Sequence, residues 1–295
     1  MISDTARKEM KLPSRFGEAV VAARNILVDA GVADPSVTTE WLFTHVVGCS
    51  RAEFVLRQED LLVFHDIQWI AHALERLVRH EPLQYVLGEM EFMDLSLKVD
   101  ARALIPRPET EELVSLVMED HEIRRMESPV VADIGTGCGC IVLAMAAARP
   151  DGRYIATDLS AEALELAREN AVIHGLESVI DWRNTDLLEG LQDLSLDAVV
   201  SNPPYISTAS YWQLEPHIRE YEPRMALDAG ESGLETACRL IGGAYRALKM
   251  SGRIYIEIGA DQGESMKDAL EDKGFSQVEI IRDLGGLDRF IRAVK

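Results

Sequence analysis

Along the first part of the chain, apolar side chains recur every three to four residues. In "FGEAVVAARNILVDAG" the positions Phe16, Ala19, Val20, Ala23, Ile26, Leu27 and Ala30 keep the period of one helix face, and Gly31 supplies the stop. "DIQWIAHALERLVRHEP" repeats the pattern through Ile67, Ile70, Ala71, Leu74, Leu77 and Val78, with Asp66 expected as its N-cap and Pro82 beyond its end. Between the two, Ser50 and Glu53 have the spacing of a capping box. Residues 1–83 therefore read as a small helical domain that either stabilises the fold or docks a partner. Over 84–103, "QYVLGEMEFMDLSLKVDARA", the period shortens to alternation and predicts a β-hairpin linker.

The segment "IPRPETEELVSLVMED" enters an amphipathic helix at about Glu109. From Pro129 onward strands and helices alternate. "VVADIG", "GRYIATD", "LDAVVSN" and "GRIYIEIG" read as strands, with helices through Met145, over 160–174 and over 234–248. Such alternation predicts a doubly wound α/β sheet occupying 104–295. The closing pair "SQVEIIRD" and "RFIRAVK" has no helix between its strands, so the last strand is expected to run antiparallel.

Composition narrows the class. With 295 residues, 47% hydrophobic and 27% charged, the chain is an ordinary globular protein of one large or two moderate domains. No apolar run approaches the roughly 18 residues of a membrane span. The start, "MISDTARKEMKLPSR", lacks the apolar core of a secretory signal. Four cysteines, two of them Cys138 and Cys140, make no disulfide framework, which points to a cytoplasmic setting. The net charge of −20 argues against direct nucleic-acid binding, which normally uses a basic face.

Candidate chemistry gathers at the strand ends. "DIGTGCG" places Gly135, Gly137 and Gly139 between a strand and its helix, where glycine lets the backbone turn tightly and approach a ligand. The third glycine comes one residue early for a dinucleotide fingerprint, which argues against a pyrophosphate ligand. Asp158 closes the next strand, where a carboxylate can accept from both hydroxyls of a ribose or cap the following helix. Asp186, in "NTDLLEG" after a third strand, can accept from an exocyclic adenine amine. Three successive strand ends thus point to a nucleoside-bearing ligand. The fourth carries "NPPY". A planar amide or amine nitrogen is a poor nucleophile because its lone pair is delocalised. The Asn202 side-chain oxygen and the Pro203 carbonyl can accept both of its N–H groups and favour attack. Pro203 and Pro204 have no donors and fix their torsions, and Tyr205 can stack on the flat group and attract a sulfonium. Cys138 and Cys140 have no partners for a metal site, and His217 reads as a surface residue. Glu257, at the end of the fifth strand, either touches the pocket or satisfies local backbone.

"DIGTGCG", Asp158 and "NPPY" resemble the S-adenosylmethionine-dependent methyltransferases. "QYVLGEMEF", "LIPRPETEELV", "YEPRMALDAGESG" and "IEIGADQGE" narrow the resemblance to the release-factor glutamine methyltransferases, of HemK/PrmC type, over roughly 83–295. That resemblance implies a seven-stranded Rossmann-like methyltransferase sheet. It also implies methyl transfer from S-adenosylmethionine, leaving S-adenosylhomocysteine, to the side-chain amide nitrogen (N5) of the glutamine in the Gly-Gly-Gln motif of peptide-chain release factors. The transfer would be a direct in-line attack without metal or covalent intermediate. Gly135, Thr136, Gly137, Cys138 and Gly139 would wrap the methionine portion of the cofactor, and Asp158 would hold its ribose. Asp186 and Leu187 would lie at the adenine, with leucine where some relatives carry an aromatic residue. Asn202, Pro203, Pro204 and Tyr205 would bind the substrate amide, Asn202 also bordering the cofactor, with Phe92, Arg107 and Glu109 nearby. The alternative is an exocyclic-amine methyltransferase of nucleic acid using the same loop.

Overall fold

Helix formation in the N-terminal part follows from the placement of apolar side chains. The computed structural model describes residues 11–295; the expectation of no secretory signal rests in part on residues 1–10, which lie outside the described residues. The chain divides after Gly88 into two units. The first holds α1 (Phe16–Asp29), α2 (Pro35–Val47), α3 (Arg51–Leu56), α4 (Phe64–Leu77) and α5 (Leu83–Leu87). Phe16, Ala19, Ala23 and Leu27 of α1 are buried against Leu42 and Phe43 of α2 and Ile70, Leu74 and Leu77 of α4. The capping box at Ser50 and Glu53 is formed in both directions. Asp66, expected as an N-cap, instead lies in the first turn of α4, which begins two residues earlier behind Val63. An acid there still complements the helix dipole. The sequence reading did not single out α2, and its composition explains why. Thr38, Thr39 and Thr44 occupy its buried face, and the Thr39 and Thr44 hydroxyls donate to the Pro35 and Glu40 carbonyls one turn back, at 2.7 and 2.9 Å. Polar residues satisfied by their own helix erase the apolar period.

The second unit, Glu89–Lys295, begins with the hairpin β1 (Glu89–Phe92) and β2 (Leu95–Lys98). The hairpin is narrower than the predicted 84–103, because residues 83–87 form α5. Next come α6 (Pro108–Glu119), α7 (His121–Arg125), β3 (Val130–Ile134), α8 (Cys140–Ala148), β4 (Arg153–Asp158), α9 (Ala161–Ile173), β5 (Ile180–Asn184) and β6 (Leu196–Ser201). The chain continues through α10 (Thr208–Tyr211), α11 (Pro216–Tyr221), α12 (Glu235–Ala247), β7 (Leu248–Glu257), α13 (Gly263–Lys273), β8 (Ser276–Arg282) and β9 (Asp288–Val294).

Seven strands form one sheet in the order β5-β4-β3-β6-β7-β9-β8. β9 runs antiparallel to both neighbours, as expected for the last strand. One face is covered by residues of α6, α8 and α9, the other by α12 and α13. Between β3 and β6 the winding reverses direction, so the loops leaving Ile134 and Ser201 diverge and open a crevice where ligands bind in such sheets. The Ser201 hydroxyl donates to the Ile134 carbonyl at 2.6 Å and ties the two strand ends together. Among the described residues, no helix is long and apolar enough to cross a membrane.

Candidate active site

A cavity of about 360 Å³ opens at that reversal, and all its lining residues belong to the second unit. Its floor is the loop between β3 and α8. Gly135, Gly137 and Gly139 all take positive φ, at 73°, 57° and 89°. The Gly135 and Thr136 N–H groups both donate to the Thr157 carbonyl at 2.9 Å. The buried Asp133 carboxylate accepts from the Thr136 hydroxyl at 2.7 Å and the Val142 N–H at 3.2 Å, bracing the loop from beneath. Its other oxygen has no partner, and burial pushes its pKa up to about 7. Asn170 fastens the loop from α9: its amide donates to the Cys138 carbonyl at 2.9 Å and the Lys98 carbonyl at 3.0 Å.

The glycines divide by role. A Cβ on Gly135 would meet nothing within 4 Å, and one on Gly137 only Ala103 at 3.9 Å, whereas one on Gly139 would press on Ala167 and Leu143 at 3.1 Å. The first two leave an open cradle; the third lets α8 pack against α9. Thr136, Cys138 and Cys140 line the cavity with Gly135 and Gly137. The Cys138 sulfur and burial push the Cys140 thiol well up, so it stays neutral.

Asp158 lies on the cavity wall. One carboxylate oxygen accepts from the Gly137 N–H at 2.9 Å and the other from the Ser160 N–H at 2.8 Å, so each keeps a lone pair for a ligand. Burial raises its pKa above the usual carboxylate value. The cap of α9 is Ser160, whose hydroxyl accepts from the Ala163 N–H, so Asp158 is free of that duty. Leu159 and Leu187 supply apolar walls, Leu187 in the left-handed region at φ 50°. Asp186 also borders the cavity, but its carboxylate accepts from the Arg239 guanidinium at 2.6 Å, an ion pair that a ligand amine would have to share.

Asn202 and Pro204 stand at the opposite wall; Pro203 and Tyr205 lie outside the lining. The Asn202 amide nitrogen donates to the Thr110 hydroxyl at 3.1 Å, and Thr110 donates to the Glu257 carboxylate at 2.8 Å. Among the described residues neither the Asn202 side-chain oxygen nor the Pro203 carbonyl accepts a hydrogen bond. Downstream, Gln262 holds the loop by donating to the Tyr205 carbonyl at 2.9 Å. Tyr205 has its own pKa raised by burial and by Glu257, and Arg289, Arg107 and Glu109 also act on it. Arg107 pairs with the buried Glu222 at 2.6 Å, and Glu222 also accepts from the Ile105 N–H. This pair ties the "IPRPE" turn to the segment whose Pro223 and Met225 roof the cavity. Phe92 is buried in the core of the second unit and does not line the cavity. His217 is half-exposed beside Glu215.

The arrangement thus joins a glycine cradle, a carboxylate with an open lone pair on each oxygen and the Asn202 amide around one crevice. The N-terminal residues 18–88 match the family described as PrmC N-terminal domain, and residues 112–214 match the methyltransferase small domain. A release factor glutamine methyltransferase of Deinococcus radiodurans is 40% identical over 267 residues, covering 90% of this chain and 94% of that protein. That of Moorella thermoacetica is 38% identical over 287 residues, covering 97% and 99%. The chain belongs to the release factor glutamine methyltransferase family. It is a methyltransferase. Among solved structures, the catalytic domain of hMettl16 in complex with the MAT2A 3'UTR hairpin 6 matches with a TM-score of 0.56 at 18% identity, over 77% of this chain and 81% of that one. At that identity the likeness is one of fold.

In this methyltransferase, sequence reasoning missed Asp133, Asn170, Thr110, Met225 and Arg239. Thr110 and Met225 lie inside the quoted segments "LIPRPETEELV" and "YEPRMALDAGESG", so the resemblance marked their neighbourhood. Asn170 and Arg239 sit on helices with nothing local to distinguish them from surface residues. Among the described residues no group of three or more His, Cys, Asp or Glu is arranged to hold a metal ion.

Proposed function

We propose that this enzyme transfers a methyl group from S-adenosylmethionine to the N5 amide nitrogen of the glutamine in the Gly-Gly-Gln motif of peptide-chain release factors. The observation that carries the reading is that, among the described residues, neither the Asn202 side-chain oxygen nor the Pro203 carbonyl accepts a hydrogen bond. The Asn202 nitrogen is already engaged with Thr110, which leaves its oxygen, next to the Pro203 carbonyl, to receive the two N–H groups of a side-chain amide. The residues present also fit the cofactor: the open cradle at Gly135 and Gly137 admits the methionine portion, and the two Asp158 lone pairs suit vicinal ribose hydroxyls. Thr136 and Cys138 complete the loop around it, Gly139 closes that loop by letting α8 pack on α9, and Leu187 with Asp186 borders the base. When bound, the cofactor supplies an electrophilic methyl on its sulfonium. Asn202 and Pro203 hold the amide nitrogen and stabilise the positive charge that grows on it as the methyl leaves the sulfonium, which departs as S-adenosylhomocysteine. Loss of one N–H proton then returns the methylated amide to neutrality, while Pro204 and Tyr205 keep the loop in shape. Arg107 and Glu109 border the substrate side, where both act on Tyr205; Phe92, buried in the core, takes no part in this reading.

For the helical unit, residues 1–83 with the hairpin linker after them, we assign docking of the substrate protein. In support, Leu56, Leu61, Val63 and Phe64 are all exposed, on or between α3 and α4, although each is large and apolar. On this reading the enzyme works in the cytoplasm, and the net charge of −20 speaks against a nucleic-acid substrate.

The test is mass spectrometry of a purified release factor incubated with the enzyme and labelled S-adenosylmethionine. The label is expected only on the Gly-Gly-Gln peptide, and Asn202→Ala should lower the rate on the order of 10²–10³-fold. Label on RNA or DNA, with none on the release factor, would establish the rival substrate class instead.

A further inference from the structure

We propose that Thr110 and Glu257 are positioning residues for methyl transfer, locking the Asn202 amide with its oxygen toward the substrate. The inference rests on the glutamine reading above. The two ends of an asparagine amide are nearly isosteric, so only the hydrogen-bond network decides which faces the substrate. A Thr hydroxyl has one proton. Thr110 is buried, and its hydroxyl lies 2.8 Å from a Glu257 carboxylate oxygen and 3.1 Å from the Asn202 nitrogen. An ionised Glu257 accepts only, so it takes the Thr110 proton. Thr110 must then accept from its other neighbour, and only the nitrogen end of Asn202 can donate. The Asn202 oxygen is left facing the cavity. Flipping the amide would set an oxygen against an acceptor. Glu257 reaches this role from β7 and Thr110 from the first turn of α6, so two distant segments converge on a loop residue.

Protonating Glu257 removes the lock. The acid can donate to Thr110, which frees the Thr110 proton for the Asn202 oxygen and makes both amide orientations acceptable. Burial pushes the Glu257 pKa up to about 7, with Thr110, Arg289 and Arg107 favouring the ionised form and Glu109 opposing it; the Tyr205 hydroxyl is the remaining titratable group facing it. The lock is therefore intact above this pH and lost below it.

Single-turnover methylation of a purified release factor by the full chain tests the relay, alongside cofactor affinity by calorimetry. Thr110→Val keeps the shape without the hydroxyl. It should slow methyl transfer about tenfold or more, roughly the worth of one hydrogen bond, with cofactor Kd unchanged. Thr110→Ser should restore the rate to within about threefold. The wild-type rate should fall as pH drops through about 7, and Glu257→Gln should be slower at pH 8 and lose that acid limb. Thr110→Val transferring methyl as fast as wild type, or Glu257→Gln keeping the acid limb, would overturn the relay alone. A wild-type chain that binds cofactor but leaves the release factor unlabelled would overturn the glutamine reading and the relay with it.

Discussion

At the scale of single residues, the site is built from side chains whose protein partners leave part of their capacity open. Asp158 accepts one backbone N–H on each oxygen and keeps two lone pairs for a ligand. Replacing it by Asn turns one acceptor into a donor that opposes both an amide N–H and a hydroxyl. Asp158→Asn should therefore raise the S-adenosylmethionine Kd at least about tenfold, roughly the value of one charged hydrogen bond. Calorimetric titration giving an unchanged Kd would remove Asp158 from the cofactor site. The residue's place was legible in the sequence because it closes a strand. Its exemption from capping was not, since that depended on whether Ser160 took the cap.

At the scale of elements, the β3–α8 loop separates glycines that serve a ligand from one that serves packing. Gly139→Ala would combine a positive φ with a Cβ pressed on Ala167 and Leu143, both at 3.1 Å. The expected cost is about 1–3 kcal/mol of stability, read from denaturant unfolding. Gly135→Ala meets no neighbour within 4 Å, so its stability loss should be limited to the left-handed backbone, about 1–2 kcal/mol. Its larger effect should be weaker cofactor binding. Equal behaviour of the two variants in both measurements would contradict the division. The three glycines look alike in "DIGTGCG"; what distinguishes them is α9, which packs behind the third.

At the scale of the whole molecule, two buried carboxylates couple protonation to folding. Asp133 and Glu257 both have their pKa raised by burial to about 7. Between the unfolded value near 4 and 7 the folded state binds more protons, so their contribution to stability is full below about pH 4 and is lost as pH rises through 7. Across pH 6 to 8 wild type should lose more thermal stability than Glu257→Gln, by scanning calorimetry; parallel curves would show that Glu257 does not titrate in that window. In the first unit, Leu56→Ser with Phe64→Ser should raise KM for a release factor several-fold at unchanged single-turnover rate. An unchanged KM would move docking away from that surface.

Local pattern by itself determined much of this protein. Helical periods at 16–30 and 67–78, alternation in the hairpin, the strand–helix series from 129 and the antiparallel finish are all properties of neighbouring residues, and so were readable along the chain. So were the glycine loop, Asp158 and the "NPPY" loop, because the chemistry of each is contained in a few consecutive positions. Helix α2 escaped because its buried threonines Thr39 and Thr44 are satisfied within the helix, and α13 because only Met266, Leu270 and Gly263 of it are buried. Tertiary structure decided what depends on distance in sequence. It set Asp133 and Asn170 beneath the loop, paired Asp186 with Arg239, and drew Thr110 and Glu257, 147 positions apart, to either end of one hydrogen bond behind Asn202. Hydrogen bonds of that kind form only when the sheet has brought separate strand ends to one rim, and no local pattern encodes them.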